Sequence, residues 1–426
     1  MLNEGTTNPV PPTLSEVLGR ENLRVAWLAV QANGGASGVD GMDIERTEAH
    51  LKAHWQEIEA KLRAGTYQPG AVRAVTIPKP DGGTRTLGIP NVQDRLIQQA
   101  IHQKLSEQCD GSFSDHSYGF RPNRSAHDAI RAARNFINEG KRHVVDIDLK
   151  GFFDEVDHDK LMHQLRQRIE DKSLRKLIGA YLRAPIQQAD GSKHKRWKGT
   201  PQGGPLSPLL ANIYLDPLDK ELEQRGLSFV RYADDIAIFA ASPRAAERIL
   251  ERVIAWIEKN LKVPVNREKS GSGPTDQSSL LGFRLYSDGR VGVAPKSVER
   301  LKSKVRELWE ARQNRTSVQL RDQWRQYIRG WWNYFQLADW RREVEDLSGW
   351  IRRHMRKCFW LRWKTPKGRL KALQRLGVNK RAQGIAYSGL GAWRIARSRA
   401  MHHALGNKTL HRHGFTLPWT FAEAVT

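Results

Sequence analysis

The sequence predicts an α+β protein in which a sheet and its helices occupy the first 294 residues and an all-helical segment follows. Residues 229–232 and 236–240 are apolar, strand-like runs separated by three residues, as in an antiparallel hairpin. A further strand is predicted over 142–149, and short strands are predicted around 262–266 and 279–293. Helical spacing covers 93–108, 125–139, 157–184, 205–225 and 243–261. From about residue 295 the pattern is almost wholly helical. With a length of 426 residues, this organisation suggests two or three domains.

The charge is strongly positive and unevenly distributed. The formal net charge is +24, and residues 301–426 hold 27 Lys and Arg against 8 Asp and Glu, together with 10 of the 14 tryptophans. Cationic surface combined with large aromatic side chains indicates a nucleic-acid partner. Two alternatives stay open: a solvated helix face, which would usually interleave acids with bases, and a membrane surface.

Several classes of protein do not fit the sequence. No segment approaches ~20 consecutive apolar residues, and residues 1–20 lack the basic and apolar regions of a secretion signal. We therefore expect no membrane partner and a cytoplasmic location. Cys109 and Cys358 are far apart and neither belongs to a Cys-x-x-Cys pair, which excludes a disulfide framework and a zinc module.

The N-terminal part combines helices, a glycine-rich loop and a hairpin. Residues 12–66 have helical apolar spacing, interrupted by a glycine-rich stretch at 33–41. No P-loop lysine follows this stretch, so we expect a loop that approaches RNA or another element of the fold. Residues 72–78 and 84–90 alternate like strands around a turn at 79–83, which predicts a basic hairpin.

Carboxylates gather at the ends of two predicted strands. Asp148 ends the strand at 142–149, and Asp234 and Asp235 lie in the turn of the hairpin at 229–240. Asp is common in turns, which is the plain alternative. However, Mg²⁺ prefers a few carboxylates plus substrate phosphates, and two such ions can hold the attacking and leaving oxygens of a phosphoryl transfer. In a chain with a polyanionic partner, we expect Asp148 and Asp234 to share such ions.

Six motifs, in this order, resemble the group II intron-encoded reverse transcriptase/maturase family. They are SYGFRP at 117–122, DLKGFFD at 148–154, GTPQGGPLSP at 199–208, YADD at 232–235, LLGF at 280–283 and IRGWWNYF at 328–335. The resemblance covers roughly residues 30–415. It implies a right-hand polymerase, with fingers and an antiparallel palm sheet, then an all-helical thumb or maturase domain and a small basic segment.

The resemblance also implies domain bounds. Residues 1–70 would be an N-terminal helical extension and loop, and residues 71–294 the fingers and palm. Residues 295–380 would be the thumb or maturase domain, and residues 381–426 a basic, nucleic-acid-binding segment.

The resemblance assigns the catalytic acids as Asp148, Asp234 and Asp235. Together with the backbone carbonyl of Leu149 they would hold two Mg²⁺ ions, for which Mn²⁺ could substitute. The other acids nearby then take cap, turn or surface roles; they are Asp146, Asp154, Asp157 and Asp159.

Further positions are implied around the substrates. The nucleotide-binding residues would be Arg73, Lys79, Arg85, Phe153, Gln202, Gly203 and Lys269, and the primer grip Leu281 and Gly282. Phe153 falls where the family places a bulky residue beneath the sugar, which predicts a preference for deoxynucleotides.

The C-terminal part resembles the domain that binds intron RNA. The expected RNA-binding residues are Arg329, Trp331, Trp332, Arg352, Arg353, Arg356 and Lys357. Because the deep major groove of A-form RNA prevents base reading, recognition should depend on shape and phosphate contacts. Helical tryptophans are more often core residues, so we assign a base contact to none of them.

The implied function is an RNA-directed DNA polymerase that is also a maturase. It would bind group II intron RNA to assist splicing and copy it into target DNA during retrohoming, using an RNA template, a DNA primer and deoxynucleoside triphosphates; a homodimer is compatible with this role. The C-terminal histidines lack the paired cysteines of the nuclease found in many relatives, so we expect no endonuclease and a borrowed primer. The alternatives are a domesticated reverse transcriptase in defence or repair and a non-catalytic RNA-binding splicing factor. The latter would have no need of acids that repel RNA.

Overall fold

A computed structural model of the protein describes residues 11–78, 82–339, 341–418 and 420. The chain divides into two compact units, Met1–Pro274 and Thr275–Thr426. The first contains two sheets with their helices, and the second a small sheet and many helices. This confirms the predicted α+β class with antiparallel strands and a helical C-terminal region. The finer division into four domains stays a prediction.

The first unit contains ten helices among its described residues. They are α1 (Leu14–Val17), α2 (Arg20–Asn33), α3 (Ile44–Arg63), α4 (Val92–Cys109), α5 (Ala126–Asn138), α6 (Phe152–Glu155), α7 (His158–Arg168), α8 (Lys172–Arg183), α9 (Ser207–Gln224) and α10 (Pro243–Asn260). The single helix predicted over 157–184 is therefore two. The break occurs because the side chain of Asp171 accepts hydrogen bonds from the amides of Ser173 and Leu174 and so starts α8 as its N-cap.

One sheet of this unit, the central sheet, has four antiparallel strands in the order β6-β7-β3-β8. The strands are β3 (His143–Asp148), β6 (Ser228–Tyr232), β7 (Asp235–Ala240) and β8 (Gly271–Pro274). Residues 236–240 of β7 are all buried, because β7 is an inner strand and helices α5 and α10 pack against it. Such a strand has a continuous apolar run instead of an alternating one.

The other sheet, the hairpin sheet, has the order β2-β1-β4-β5. Strands β1 (Val72–Pro78) and β2 (Thr84–Ile89) form the predicted antiparallel hairpin, in which Ile77 faces Arg85. Strand β4 (Ile186–Gln187) pairs parallel with β1, and β5 (Lys193–His194) pairs with β4. The hairpin tip at 79–81, including Lys79, lies outside the described residues.

The glycine-rich loop at 33–41 packs on helix α4. Arg95 is buried and donates from Nη2 to the Ala36 carbonyl oxygen at 2.5 Å. A Cβ on Gly38 would lie 2.6 Å from the Cα of Asn91, so this glycine permits a close backbone approach. Of the two roles expected for this loop, contact with another element of the fold is the one the structure displays.

A buried carboxylate, Asp94, joins α4 to two neighbouring segments. It accepts hydrogen bonds from the Tyr67 hydroxyl at 2.7 Å, the Gly70 amide at 3.0 Å and the Tyr181 hydroxyl at 3.3 Å. Burial outweighs these hydrogen bonds and raises the pKa of Asp94 from 3.8 to about 6.

We expect this shift to make stability depend on pH. The folded state binds the Asp94 proton more tightly than the unfolded state, so the stabilisation is complete at low pH and is lost as the pH rises from 3.8 towards 6. Relative to Asp94→Asn, which cannot titrate, the free energy of unfolding of the wild type should fall by about 3 kcal/mol across this window. Urea unfolding of both proteins at a series of pH values checks this. If the free energies of unfolding of the two proteins change in parallel with pH, the prediction is contradicted.

The second unit begins with a small antiparallel sheet and continues as helices. The strands are β9 (Ser279–Leu280), β10 (Phe283–Leu285) and β11 (Val291–Val293), in the order β11-β10-β9. The helices are α11 (Pro295–Leu308), α12 (Ser317–Phe335), α13 (Arg341–Arg362), α14 (Pro366–Arg375), α15 (Ala382–Ala386), α16 (Ala392–Ala396), α17 (Arg399–Ala404) and α18 (Asn407–Arg412). Over the described residues, no helix is long and apolar enough to cross a membrane.

Aromatic side chains form much of the core of the second unit. Trp324 is fully buried and donates from its indole N–H to the Thr416 carbonyl oxygen at 2.6 Å. Its ring packs edge-on against Trp309, which also contacts Phe359 and Phe415. These tryptophans therefore stabilise the core of the unit, and the number of tryptophans in this part of the chain does not indicate the number of RNA contacts.

Candidate active site

The candidate site is built on the turn between β6 and β7. Tyr232 pairs with Asp235, so the turn has two residues, Ala233 and Asp234, and Asp235 is already the first residue of β7. The sequence placed all three in the turn. Ala233 has a φ of +58°, as expected at the first position of a tight hairpin turn that matches the strand twist. The backbone thus presents Asp234 and Asp235 at the end of the central sheet.

The structure brings the three predicted catalytic acids together. Asp148, the last residue of β3, lies directly opposite Asp235 in the antiparallel register, and Asp234 precedes Asp235 in the turn. Reduced hydration, followed by repulsion from Asp234, Asp148 and Asp146, raises the pKa of Asp235 to about 6. Reduced hydration also raises the pKa of Asp234, although its own backbone amide and Arg85 oppose the shift. Such a cluster of carboxylates is stabilised by cations.

The described residues contain no group of three or more His, Cys, Asp or Glu side chains arranged to hold a metal ion on their own. The cluster of Asp148, Asp234 and Asp235 still fits Mg²⁺, because this ion is usually held by one or two carboxylates together with substrate phosphates. Leu149, the other predicted ligand, forms a bridge with Val265. The hydrogen bonds of this bridge run from the Lys150 amide to the Pro264 carbonyl oxygen and from the Asn266 amide to that of Asp148. The Leu149 carbonyl takes no part in this pair of bonds.

A buried arginine supports the turn between β6 and β7. Arg231 is fully buried and forms a two-pronged ion pair with Asp219, at 2.7 Å from Nε and 2.5 Å from Nη2. Its Nη1 donates to the Asn212 side-chain oxygen at 3.0 Å and to the Ala233 carbonyl oxygen at 2.9 Å. Nη2 also donates to the Ser117 hydroxyl at 2.8 Å. One side chain therefore links the turn to helix α9 and to the segment 114–121.

That segment also contacts the turn through its backbone. The Tyr118 amide donates to the Arg231 carbonyl oxygen, and the Arg231 amide donates to the His116 carbonyl oxygen, both at 2.9 Å. A Cβ on Gly119 would lie 2.3 Å from the Ala233 nitrogen and 2.9 Å from the Tyr232 carbonyl carbon. Only glycine permits this approach, so the motif at 117–122 shapes the turn between β6 and β7.

The hairpin sheet meets the loop at 199–204 beside this turn. The Gly88 amide donates to the Gln202 carbonyl oxygen at 2.8 Å, and the Arg85 guanidinium donates to the Gln202 side chain. Gly203 has a φ of +132°, and a Cβ there would lie 2.7 Å from the Gly88 carbonyl oxygen. Three of the predicted nucleotide-binding residues, Arg85, Gln202 and Gly203, are therefore neighbours.

Phe153 joins the same region from α6. Its ring is buried against Phe152, with centroids 5.3 Å apart, and its carbonyl oxygen accepts from the Thr200 amide at 2.7 Å. Arg73 lies at the base of the hairpin, opposite Ile89, and its buried Nε has no hydrogen-bond partner among the residues that the structure describes. Lys269 is exposed beside Ser270, whose hydroxyl accepts from the Asp148 amide. Their nucleotide-binding roles stay predictions.

The other four acids near Asp148 in the sequence lie at different places in the fold. Asp157 is the N-cap of α7 and accepts from the Lys160 amide at 3.0 Å, as the cap interpretation requires. Asp159 is exposed in the first turn of α7, and Asp154 is exposed in α6. Asp146 lies two residues before Asp148 on β3 and faces Ala237.

The predicted primer grip lies in the second unit. Leu281 and Gly282 form a turn with φ values of +51° and +81°. The Tyr334 hydroxyl donates to the Leu281 carbonyl oxygen at 2.9 Å, and a Cβ on Gly282 would meet Ser297 at 3.0 Å. Helices α11 and α12 thus fix the shape of this turn.

The predicted RNA-binding residues differ in exposure. Arg329 is exposed, and Trp331, Arg352, Arg353 and Lys357 are half-buried. Trp332 and Arg356 are buried, and the Arg356 Nε donates to the Leu405 carbonyl oxygen at 3.0 Å. Burial, with repulsion from Arg352 and Arg353, lowers the pKa of Arg356 to about 10. Trp332 and Arg356 therefore support the helices from inside this unit.

Sequence reasoning missed the support of the turn. Asp219 and Asn212 lie on α9, 12 and 19 residues before Arg231, and resemble ordinary helix-surface residues in the sequence. The available signal was the apolar spacing of α9: it places both residues on a helix in which most positions are buried. A carboxylate at a buried position needs a cationic partner.

Comparisons with known proteins identify the family of the chain. Residues 77–285 match the family model described as reverse transcriptase (RNA-dependent DNA polymerase), and residues 298–377 match that described as group II intron, maturase-specific domain. Protein YkfC of Escherichia coli (strain K12) is 33% identical over 287 residues, which cover 58% of this chain and 75% of that protein.

One more curated protein and one solved structure are similar to parts of the chain. The group II intron-encoded protein LtrA of Lactococcus lactis subsp. cremoris is 38% identical over 208 residues, which are 49% of this chain and 34% of LtrA. The chain thus spans about a third of the length of LtrA. A telomerase structure from Candida albicans aligns over 79% of this chain and 69% of its own, with 12% identity and a TM-score of 0.44.

Proposed function

Because the chain belongs to the group II intron-encoded reverse transcriptase/maturase family, we propose that it extends a DNA primer on an RNA template with deoxynucleoside triphosphates. The observation that carries this proposal is the register that places Asp148 opposite Asp235, with Asp234 in the adjoining turn. Reverse transcriptase domains use divalent metal ions. In this chain Asp148, Asp234, Asp235 and the Leu149 carbonyl would hold two Mg²⁺ ions, for which Mn²⁺ could substitute.

The residues around the acids have complementary tasks. Bound metal ions would lower the pKa of the primer 3′ hydroxyl and neutralise charge on the phosphates. Arg85, held against Gln202, would contact the triphosphate as a planar donor, and Arg73, Lys79 and Lys269 would add positive charge. Gln202 and Gly203 would position the nucleotide, and Phe153 would exclude a 2′ hydroxyl. Phosphoryl transfer depends largely on such positioning and charge neutralisation.

We further propose that the second unit binds group II intron RNA, assists its splicing and holds it for copying into target DNA. The maturase-specific match over residues 298–377 and the excess of basic residues after residue 300 support this role. The exposed Arg329 of α12 and the half-buried Arg352, Arg353 and Lys357 of α13 would contact phosphates. Leu281 and Gly282 would grip the primer. We place this work in the cytoplasm, and a homodimer is compatible with it.

The test is extension of a DNA primer on an RNA template with Mg²⁺, comparing the wild type with Asp234→Asn. We expect the substitution to reduce the extension rate by about 1000-fold, since it removes a ligand that supplies several kcal/mol of transition-state stabilisation. Asp159→Asn, in the first turn of α7, is the matched control and should extend normally. No extension by the wild type, with RNA binding retained, would favour the non-catalytic splicing factor instead.

A further inference from the structure

A groove of about 980 Å³ lies on the first unit, between helix α10 and the start of the β6–β7 hairpin. Of its sixteen lining residues, five are Lys or Arg and none is acidic. Its floor is apolar, with Leu227, Phe239 and Ile249 among the lining residues. The groove therefore combines positive walls with an apolar base.

The charges on α10 follow one stripe of the helix. Arg248, Arg252, Trp256 and Lys259 all line the groove and are spaced at i, i+4, i+8 and i+11, so they lie on the same face. The stripe is about 16 Å long at 1.5 Å per residue. Cations alternating with an aromatic ring at this spacing suit a chain of phosphates that carries flat bases.

The three α10 cations are available for a ligand. Lys141 and Arg225, the other two basic residues of the groove, are already paired with Glu139 and Glu221. Arg248, Arg252 and Lys259 are exposed and form no ion pair with any residue that the structure describes. Trp256 is only partly buried, although it packs against the core. Unpaired positive charge on the same helix face as an aromatic ring is complementary to a polyanion.

The position of the groove separates it from the candidate active site. Its walls include Ser228 and Phe239, which pair at one end of the hairpin, whereas Tyr232 and Asp235 pair at the catalytic end. Four residues of strand separate the two ends by about 13 Å. A nucleic-acid strand bound in the groove is therefore a different segment from the nucleic acid that would be copied at Asp234.

We propose that this groove binds a second, single-stranded segment of RNA, with Arg248, Arg252 and Lys259 on its phosphates and a base stacked on Trp256. The choice of RNA rests on the proposed function, in which the protein binds and copies a long RNA. The groove would hold part of that RNA on the body of the polymerase while another part occupies the active site.

The experiment uses the full chain saturated with unlabelled primer–template duplex, so that a labelled 20-nucleotide oligo(U) reports on sites outside the polymerase cleft. Its affinity is measured over a range of salt concentrations for the wild type and for Arg248→Gln/Arg252→Gln. We expect weaker binding and a salt slope reduced by about 1.4, which corresponds to two lost phosphate contacts at about 0.7 each. Trp256→Leu should weaken binding about tenfold without changing the slope, because stacking releases no counterions.

The matched control is Arg244→Gln, an exposed arginine of the same helix that does not line the groove. Its slope and affinity should equal those of the wild type. Unchanged oligo(U) binding by the double variant, or an equal loss in the control, would overturn the proposal. Binding to poly-glutamate is measured as well. If the double variant loses binding to poly-glutamate but keeps its binding to oligo(U), the proposal is overturned in favour of an acidic protein partner. Primer extension is measured in parallel: a failure of the wild type to extend refutes the proposed function, independently of the salt slope.

Discussion

Replacing Gly119 with alanine is expected to slow primer extension about 100-fold, because a displacement on the order of 1 Å at a catalytic group can cost that much in rate. The new Cβ would lie 2.3 Å from the Ala233 nitrogen and 2.9 Å from the Tyr232 carbonyl carbon. Both atoms are backbone, so the turn that carries Asp234 has to move. The loss should appear in the single-turnover rate at saturating nucleotide, whereas RNA affinity should change little.

Gly111→Ala provides the control for that substitution. A Cβ at Gly111 meets nothing within 4 Å and the residue needs no positive φ, so its extension rate should match that of the wild type. Thermal unfolding of both variants separates a misplaced turn from general destabilisation. A Gly119→Ala enzyme within twofold of the wild-type rate would show that the turn adapts without loss of function.

Asp219→Ala is expected to lower the free energy of unfolding by about 3–5 kcal/mol, because it leaves the Arg231 guanidinium buried without a counter-charge. Both side chains of this pair are fully buried, and Asp219 accepts from two guanidinium nitrogens. Extension should fall as well, since Arg231 also donates to the Ala233 carbonyl oxygen in the catalytic turn. Urea unfolding followed by circular dichroism measures the first effect.

The exposed pair between Arg24 and Glu21 gives the comparison. Their side chains are 61% and 73% exposed, so Glu21→Ala should leave the free energy of unfolding almost unchanged. The double variant Arg231→Met/Asp219→Leu should cost less than the two corresponding single changes together, because it leaves neither charge unpaired. Additive costs would mean that the pair contributes through its separate contacts and not as an ion pair.

The elements that the sequence predicts well are those with a strong period or a strong turn. The hairpin at 229–240 and the strand ending at Asp148 have continuous apolar runs, and the family motifs fix which acids belong together. Their register could not be read from the sequence. Which residue faces Asp235 depends on how distant strands align, and only the structure shows that Asp148 is directly opposite it.

The errors have physical causes. A strand expected near 262–266 is reduced to a single bridge at Val265, because Lys262 has a φ of +54° and Pro264 has no amide to donate. The part of the site formed by Arg231, Asp219 and Asn212 depends on contacts between residues 12 to 19 positions apart in different elements. Side-chain hydrogen bonds of this kind leave no periodic signal in a sequence.

The two outer strands of the central sheet bear on how the protein avoids aggregation. An open edge strand has unpaired backbone groups, and these can pair with a strand of another chain. Strand β6 is covered at Arg231 by backbone bonds to His116 and Tyr118, and β8 is a four-residue strand of glycine, serine and proline. A short edge that ends in proline and a covered edge both discourage the addition of a foreign strand. The segment that shapes the turn between β6 and β7 therefore also protects the sheet from self-association, so damage to it would reduce solubility as well as activity.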